Sequence, residues 1–331
     1  MLLVGEGIYL LDEGLEAKTM ARRVYLVLGE RAALIEAGPT NRADAIRPER
    51  LSELGVRADD VSHILLSHVH LDHSGAAGYL SRLFPRAHVV VHHAGARHMV
   101  EPSKLLEATR AVYGRDAEEL YGPVIPVQAD RVLAAAGGEL VDLGGGRSLR
   151  VIDAPGHAPH HLAFYDERSR GLFAGEALGI YNAELDLLEP AGAPPLFDLV
   201  AAVGSARLLA ELSPKNIYHC HTGVQQWAEG GAERYVNVVL AWAERVRQAI
   251  RQDPNPARVS LLMHAYAAHE RGTAATARGL KADASLPVSI QLHVDGYMGF
   301  FERSGLDTDL SLLKRDGRER LLLPRSRAAQ P

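Results

Sequence analysis

The sequence predicts an α/β fold of stacked layers, followed by a mostly helical C-terminal extension. Three observations support this prediction. Short β-rich runs alternate with helical segments through the first two thirds of the chain, as in layered α/β domains. The nearly continuous apolar run 61–67 is typical of a strand buried on both faces. A long amphipathic helix is predicted over 233–252 and dominates the last third.

Turn residues and periodicity delimit the elements of the N-terminal part. Gly29 and Glu30 indicate the turn of a β-hairpin. Gly55 and Pro85 end two helical patterns. The predicted strands cover residues 7–11, 24–28, 32–35, 61–67 and 87–91, and the predicted helices cover residues 43–54 and 74–84.

Residues 95–135 break this rhythm and look like an insertion over one face of the domain. They contain helical patterns at 103–112 and 116–120. Irregular segments of this kind commonly carry substrate-contacting groups. Tyr113 and Tyr121 are therefore candidate substrate-binding residues, which could line a cleft or donate to an oxyanion, with side-chain packing as the alternative for each.

The elements after the insertion complete the layered domain and then become helical. Predicted strands cover residues 139–143, 149–152, 161–165, 171–173 and 216–221, predicted helices cover 196–212 and 233–252, and one β-like stretch covers 288–294. We predict a first domain over residues 1–225 and a helical extension over residues 226–331 that packs on it.

Composition narrows the classes of function. The chain has 331 residues, of which 47% are hydrophobic and 23% charged, as in ordinary globular proteins. A net charge of −5 argues against nucleic acid as a partner and leaves a small-molecule substrate as the expectation. The single Cys220 allows no intramolecular disulfide. No basic leader and no apolar run near ~18 residues is present, so we expect a cytoplasmic protein without a membrane span.

The most informative stretch is the cluster of metal-ligand side chains that directly follows the apolar run 61–67. His68 and His70 lie two residues apart at a strand end, so extended backbone puts both on one face, where they can hold one ion. Asp72 and His73 follow as the chain turns into a helix. Because adjacent side chains diverge, these two would more easily serve a second ion.

Further candidate ligands come after later strands. His157 follows the tight turn Pro155-Gly156, Glu176 follows a strand, and His219 and His221 end the last strong strand. Function in α/β sheets gathers along one edge, so these strand ends are expected to meet. In extended chain Cys220 would face away from its two neighbours, which predicts a packed core thiol and no covalent mechanism.

The sequence resembles the metallo-β-lactamase superfamily of αββα sandwich hydrolases. The matching segments are Ile35-Glu36-Ala37-Gly38, His68-Val69-His70-Leu71-Asp72-His73-Ser74-Gly75, Pro155-Gly156-His157, Gly175-Glu176 and His221-Thr222-Gly223. The resemblance covers about residues 5–225, and the second segment is its most specific part. The segment 156–161 and the insertion look closer to hydroxyacylglutathione-hydrolase-like members than to the antibiotic-degrading ones.

This resemblance implies an αββα catalytic domain over residues 1–225 with a particular set of ligands. One metal site would use His68, His70 and His157. A second would use Asp72, His73 and His221, with His219 as the alternative to His221. The carboxylate of Glu176 would bridge the two ions, at a position where the family usually has the shorter Asp.

The activity that the resemblance implies is metal-dependent hydrolysis of a thioester, ester or lactone by a metal-bound hydroxide. The expected cofactors are two divalent ions, with zinc first and iron or manganese as alternatives. Asp72 would be the catalytic residue that orients the water or passes its proton to the leaving group.

Two other functions stay open at this point. His68, His157 and Glu176 could form the two-histidine, one-carboxylate triad of a mononuclear Fe(II) persulfide dioxygenase. A non-catalytic or nucleic-acid-processing role is the third hypothesis. An aromatic concentration at residues 266 and 297–301 could cover the mouth of the site or form the interface of a homodimer.

Overall fold

Two β-sheets stack face to face in the computed structural model, with helices on both outer faces. The structure describes residues 1–11, 23–227, 230–281 and 289–314. Seven strands form the first sheet within these ranges, in the order β1 to β7: β1 (Leu2–Gly5), β2 (Ile8–Leu10), β3 (Tyr25–Leu28), β4 (Ala32–Ile35), β5 (Val61–Leu65), β6 (His88–His92) and β7 (Val132–Ala135). Strands β1 to β4 are antiparallel, and β4 to β7 are parallel.

The later strands form a second sheet and a separate hairpin. They are β8 (Leu140–Asp142), β9 (Ser148–Asp153), β10 (Leu162–Asp166), β11 (Gly171–Gly175), β12 (Ile180–Asn182), β13 (Leu187–Glu189), β14 (Asn216–His219) and β15 (Gly223–Gln226). The second sheet has the order β15-β14-β11-β10-β9-β8, and β12 pairs only with β13 in the described part of the chain. Strands β11 and β14 are parallel, whereas the other neighbours in this sheet are antiparallel.

Helices follow the strands and cover the outer faces. They are α1 (Pro48–Ser52), α2 (Leu71–Ser74), α3 (Ala77–Leu83), α4 (His93–Val100), α5 (Ser103–Tyr113), α6 (Ala117–Tyr121), α7 (Leu199–Glu211), α8 (Gly231–Gln252), α9 (Pro256–Ala277), α10 (Ser289–Ser304) and α11 (Ser311–Lys314). Short 3₁₀ turns lie at Thr40–Ile46, Ala58–Asp60, Gly114–Asp116 and Ala129–Arg131. No described helix is long and apolar enough to cross a membrane.

Strand side chains alternate between two apolar layers, which confirms the predicted αββα fold. In β3, Tyr25 and Val27 enter the core between the sheets, while Leu26 faces the outer helices. In β10, Phe164 enters the same central core, while Ala163 faces the helices on the other side. Burial on both faces explains why these strands lack the polar alternation of a half-exposed sheet.

The C-terminal helices share one apolar core with the second sheet. Trp242 of α8, Met263 of α9 and Tyr297 of α10 are buried together with Leu172 of β11 and Phe197. The mostly helical C-terminal part is thus as predicted, while the boundary at residue 225 stays a prediction. The aromatic rings of Tyr297, Phe300 and Phe301 in α10 are buried within the chain, so they are not available as a dimer surface. A homodimer formed through another surface stays a prediction.

Several predicted elements differ from the structure for local reasons. The helix expected over 43–54 is a 3₁₀ turn followed by α1, because the residue before Pro48 is extended, as proline favours. The β-like stretch 288–294 is helical from Ser289 onward, and Val288 lies outside the described residues. Whether such a short apolar run becomes a helix or a strand depends on its tertiary packing, because its periodicity fits both. The last four residues of the expected insertion 95–135 form β7, beside β6.

A buried ion pair joins the two sheets where β3 and β10 end. Arg147 Nη2 lies 2.6 Å from Asp166 Oδ2, and both side chains are almost fully buried. Arg147 Nη1 donates to the Leu28 carbonyl at the end of β3, at 2.7 Å. Ser169 Oγ donates to the same carboxylate at 2.5 Å. The guanidinium therefore bridges backbone of the first sheet and a carboxylate of the second.

Replacing Arg147 with methionine would leave the Asp166 carboxylate buried beside Ser169 without its cation. We expect the free energy of unfolding to fall by about 3–5 kcal/mol, because an uncompensated buried charge is costly. Urea unfolding measures this loss. Arg251→Met is the matched control, since its partner Asp307 is exposed, and it should cost less than about 1 kcal/mol. Equal losses in the two variants would contradict this role of the buried pair.

Candidate metal centre

The predicted ligands lie in the segments that follow strands, including the short helix α2, along one edge of the sandwich. His68 and His70 follow β5, and His73 lies in the short helix α2. Glu176 follows β11 directly, and its neighbour Gly175 has φ +52. A Cβ on Gly175 would lie 2.6 Å from a nitrogen of His161, so only glycine fits there. The same Cβ would also lie 2.7 Å from Cβ of Ser67, which follows β5 of the first sheet, so close packing around Gly175 determines where Glu176 emerges.

A first group of ligand atoms converges on one oxygen of Glu176. His157 Nε2 lies 2.8 Å from Glu176 Oε2, and His68 Nε2 lies 3.5 Å from it. His70 Nδ1 is 2.9 Å from His68 Nε2 and 3.1 Å from His157 Nε2. One ligand atom from each of these four residues lies within 4.8 Å of the other three. The structure therefore brings together the three histidines that the family resemblance assigned to one site.

A second group surrounds the same carboxylate. His221 Nε2 is 3.3 Å from Glu176 Oε1, and His73 Nε2 is 3.6 Å from Glu176 Oε2. Asp72 Oδ2 lies 3.5 Å from His73 Nε2. Glu176 therefore contacts both groups, despite being one methylene longer than the residue expected at this position. Its carboxylate thus lies between the two groups.

The structure separates His221 from its alternative, His219. Strand β14 ends at His219, whose Nε2 lies 2.9 Å from Gln225 Oε1 and whose ring stacks on Tyr181. His221 lies in the following turn and points to Glu176. Of the two, His221 is the one positioned beside the other candidate ligands.

The expectation that Cys220 faces away from the site is wrong. Because the strand ends at His219, the alternation of side chains does not continue to residue 220. The Cys220 sulfur joins His73 and His221 in a group of potential ligand atoms that lie within 4.8 Å of one another. The thiol is buried, as predicted. Burial raises its pKa well above the usual value, although His73 acts in the opposite sense.

The two candidate tyrosines lie in the outer apolar layer. The rings of Tyr113 and Tyr121 pack edge to face, with centroids 5.5 Å apart. Tyr121 is buried, and both belong to the core between the first sheet and its helices. This placement gives each ring a packing role, and substrate binding by either stays a prediction.

Two residues outside the predicted set support the candidate ligands. Glu36 is buried at the end of β4, and its Oε1 lies 3.3 Å from His73 Nδ1. Its Oε2 accepts the Ser67 N–H at 3.2 Å. His161 Nε2 accepts the N–H of Glu176 at 3.1 Å. The sequence contained a signal for Glu36 in the segment 35–38, but nothing in that segment indicated a contact with His73.

The donors fit a divalent metal ion. His73 Nε2 and both ring nitrogens of His221 are buried without a hydrogen-bond partner, although buried polar atoms normally have one. Burial, together with neighbouring histidines, lowers the pKa of His68 well below its usual value and that of His70 to about 3. Neutral imidazoles of this kind carry the lone pairs that zinc, iron or manganese bind.

Carboxylates give the centre its negative charge. Burial would raise the pKa of Glu176, but His157, His221 and His73 hold it well below the usual value. The Glu176 carboxyl is thus ionised at neutral pH. His73 is the opposite case: burial alone would lower its pKa, but the neighbouring carboxylates of Asp72 and Glu36 raise it well above the usual value. The raised pKa favours the imidazolium form of His73, so a metal ion would compete with a proton for this ring.

Known proteins share this architecture and, in part, this sequence. A probable metallo-hydrolase of Bacillus subtilis is 26% identical over 250 residues, which cover 70% of this chain and 76% of that protein. An acyl-coenzyme A thioesterase of Bos taurus is 26% identical over 200 residues, covering 55% and 66% of the two chains. The crystal structure of a metallo-beta-lactamase family protein from Thermus thermophilus has a TM-score of 0.65 at 24% identity. The superposition covers 90% of this chain and 94% of the Thermus thermophilus protein, which shows that the two share a fold.

The strands from β3 to β15 and all of the candidate ligands lie within the part of the chain that matches a known protein family. The metallo-beta-lactamase superfamily profile matches residues 20–235. This range contains both groups of ligand atoms and the carboxylate between them. With the αββα layers and the metal-binding geometry both in place, the chain belongs to the metallo-beta-lactamase superfamily.

Proposed function

We propose that this protein is a metal-dependent hydrolase of thioesters, esters or lactones that uses two divalent ions, with zinc as the first candidate. The position of Glu176 carries the proposal, since its carboxylate contacts both His157 and His221. His68, His70 and His157 would hold one ion. Asp72, His73 and His221 would hold the other. Ions bound there supply Lewis acidity and a water molecule of lowered pKa.

The chain's own groups then have distinct tasks. Glu176 stays ionised, and because its carboxylate contacts both groups of imidazoles, it fixes the distance between them. Asp72, the most exposed of the site carboxylates at 15%, is placed to receive a proton beside His73 and pass it to the leaving group. Glu36 holds the His73 ring through Nδ1. The raised pKa of Cys220 keeps it a thiol, which gives no support to covalent catalysis.

The names of the relatives favour a carbonyl substrate. One is called an acyl-coenzyme A thioesterase and another a probable metallo-hydrolase. A further relative, from Aspergillus terreus, is called an atrochrysone carboxyl ACP thioesterase, at 26% identity over half of this chain. Thioester hydrolysis is therefore the first reaction to test. Membership of the hydroxyacylglutathione-hydrolase-like subgroup, and a cytoplasmic location, remain predictions.

A mononuclear Fe(II) persulfide dioxygenase is the alternative. The short contact of 2.8 Å between His157 and Glu176, with His68 at 3.5 Å, is the observation that favours it. Two histidines and one carboxylate form the facial triad of non-haem iron oxygenases. The second group at His73 and His221 weighs against it, because a single ion would leave these imidazoles unused.

Metal-loaded protein should hydrolyse acyl-coenzyme A thioesters, aryl esters or lactones faster than phosphodiesters. His157→Ala is the negative control: it removes a proposed ligand, so its kcat/KM should be at least about a hundredfold lower than that of the wild type. Initial rates on the three carbonyl classes, with and without a chelator, measure this. Cleavage of phosphodiesters alone would refute the proposal. Oxygen uptake with glutathione persulfide and one iron per chain would establish the alternative instead.

Glu176→Ala should reduce the metal content, because it removes the one carboxylate that both groups share. We expect two ions per wild-type chain and one or fewer in the variant, with activity lower by at least about a hundredfold. Elemental analysis of protein purified without added metal gives species and stoichiometry. Glu176→Asp, which keeps the charge, is the matched control and should retain more metal. Full metal content and activity in Glu176→Ala would mean that Glu176 is not a ligand.

Glu36→Gln should weaken metal binding at the His73 half and lower the pKa of His73. The glutamine keeps the size of the side chain but removes one of the charges that raise this pKa, the other main one being Asp72. We expect a loss of about tenfold in affinity for the second ion. Chelator competition gives the affinity, and histidine NMR of the metal-free protein gives the pKa. Glu211→Gln, at an exposed site on α7, should change neither quantity. An unchanged His73 pKa in Glu36→Gln would argue against this contact.

A further inference from the structure

A loop beside the metal centre contacts one of the candidate ligands. Residues 189–197, called the strap below, lead from β13 toward α7. The Ala191 carbonyl of the strap accepts the His157 Nδ1 proton at 2.7 Å. With Nδ1 occupied in this way, Nε2 is the nitrogen that faces His70 and Glu176. The strap therefore sets both the tautomer and the direction of this ring.

Helix α9 of the C-terminal extension holds the first residue of the strap. Arg271 Nη1 lies 2.7 Å from Glu189 Oε1, and the two side chains are only 16% and 8% exposed. Two charges buried at this distance support each other because each would be costly to bury alone. The start of the strap is therefore tied to the extension by a partly desolvated ion pair.

Helix α10 touches the middle of the strap backbone to backbone. A Cβ built on Gly296 would lie 2.7 Å from the Gly192 carbonyl oxygen and 2.8 Å from its carbon. His293 Nδ1 lies 3.4 Å from the same oxygen. Because neither backbone can give way as a flexible side chain would, Gly296 is required for this contact. Gly192 is the residue that follows Ala191, the acceptor of the His157 proton.

The same helix also holds the end of the strap. The Arg303 guanidinium donates to the carbonyls of Pro195 and Phe197, the latter at 2.6 Å. The Phe197 ring packs on Tyr297 of α10, with centroids 4.7 Å apart. The strap is thus held at its start, middle and end, and each of these contacts comes from α9 or α10.

We propose that the C-terminal extension positions the metal centre: through the strap it orients His157 and so governs metal affinity at the His68–His70–His157 half. This inference rests on the proposed function, because it takes His157 as a metal ligand. Arg271, Gly296 and Arg303 are positioning residues in this account. The other half of the centre is held separately, since His73 is oriented by Glu36 of the first sheet.

Gly296→Ala is the sharpest test. The added methyl must push the strap away from α10, which moves the acceptor of the His157 proton. We expect Zn²⁺, measured by chelator competition, to bind about tenfold more weakly at one of two sites. Co²⁺-loaded protein should show an altered visible absorption spectrum, which reports the geometry of the ligands. Neither readout depends on turnover.

The matched control is Gly272→Ala in α9. A Cβ there meets nothing within 4 Å, so this variant makes the same chemical change in the same extension without touching the strap. Its Zn²⁺ affinities and Co²⁺ spectrum should equal those of the wild type. Thermal unfolding of the metal-free variants checks that Gly296→Ala is folded.

A second pair of variants tests the strap without adding a group. Arg303→Met removes the donors to the end of the strap and should weaken Zn²⁺ binding several-fold, whereas Arg251→Met, which removes an exposed pair with Asp307, should not. Double variants identify the ligand through which the strap acts. In a His157→Ala background Gly296→Ala should not weaken Zn²⁺ binding further, whereas in a His221→Ala background it should still do so.

The outcomes separate the two proposals. Wild-type protein that binds no divalent ion would overturn the proposed function and this inference together. Wild-type affinities in folded Gly296→Ala and Arg303→Met would overturn the inference alone. An equal effect of Gly296→Ala with and without His157 would also overturn it, because the strap would then act through another residue.

Discussion

The Glu176 carboxylate is the contact on which the arrangement of the site depends. It is buried between imidazoles that come from three separate strand ends, and it lies close to a nitrogen of His68, His73, His157 and His221. A lone buried carboxylate would be strongly disfavoured. The surrounding imidazoles keep it ionised, so the carboxylate and the histidines stabilise one another. The same charge makes the centre suitable for cations.

Each half of the centre is supported by a different layer of the molecule. Glu36, which directly follows β4 of the first sheet, holds His73, and its own backbone has a φ of +67. The strap, which is held by the C-terminal helices, holds His157 through the Ala191 carbonyl. Ligand rings are commonly fixed through their second nitrogen. The two sides of the sandwich therefore contribute independently to one site.

The opposite end of the sandwich is closed by an interaction of another kind. Arg147 joins the Leu28 carbonyl of the first sheet to the Asp166 carboxylate of the second. Both groups are buried and fully paired, which avoids the cost of an isolated charge. The two sheets are thus cross-linked by polar contacts at both ends, with the apolar central core between them.

The sequence alone predicted the layered fold, because the alternation of β-rich and helical runs is a local property of the chain, and it predicted the candidate ligands from their positions after strands and from the family resemblance. His68, His70 and His157 were predicted as one set, and His221 with His219 as its alternative; the structure places the first three together and His221 beside the same carboxylate.

Contacts between distant segments were decided only by the tertiary structure. The end of β14 at His219 determines that Cys220 turns toward His73, which strand alternation had excluded. The contact of Glu36 with His73 and the support of His157 by the strap depend on where separate elements come to rest. The sequence predicts which residues can bind a metal, whereas only the packing of sheets and helices decides which groups hold those residues in place, because that support comes from chain segments far apart in sequence.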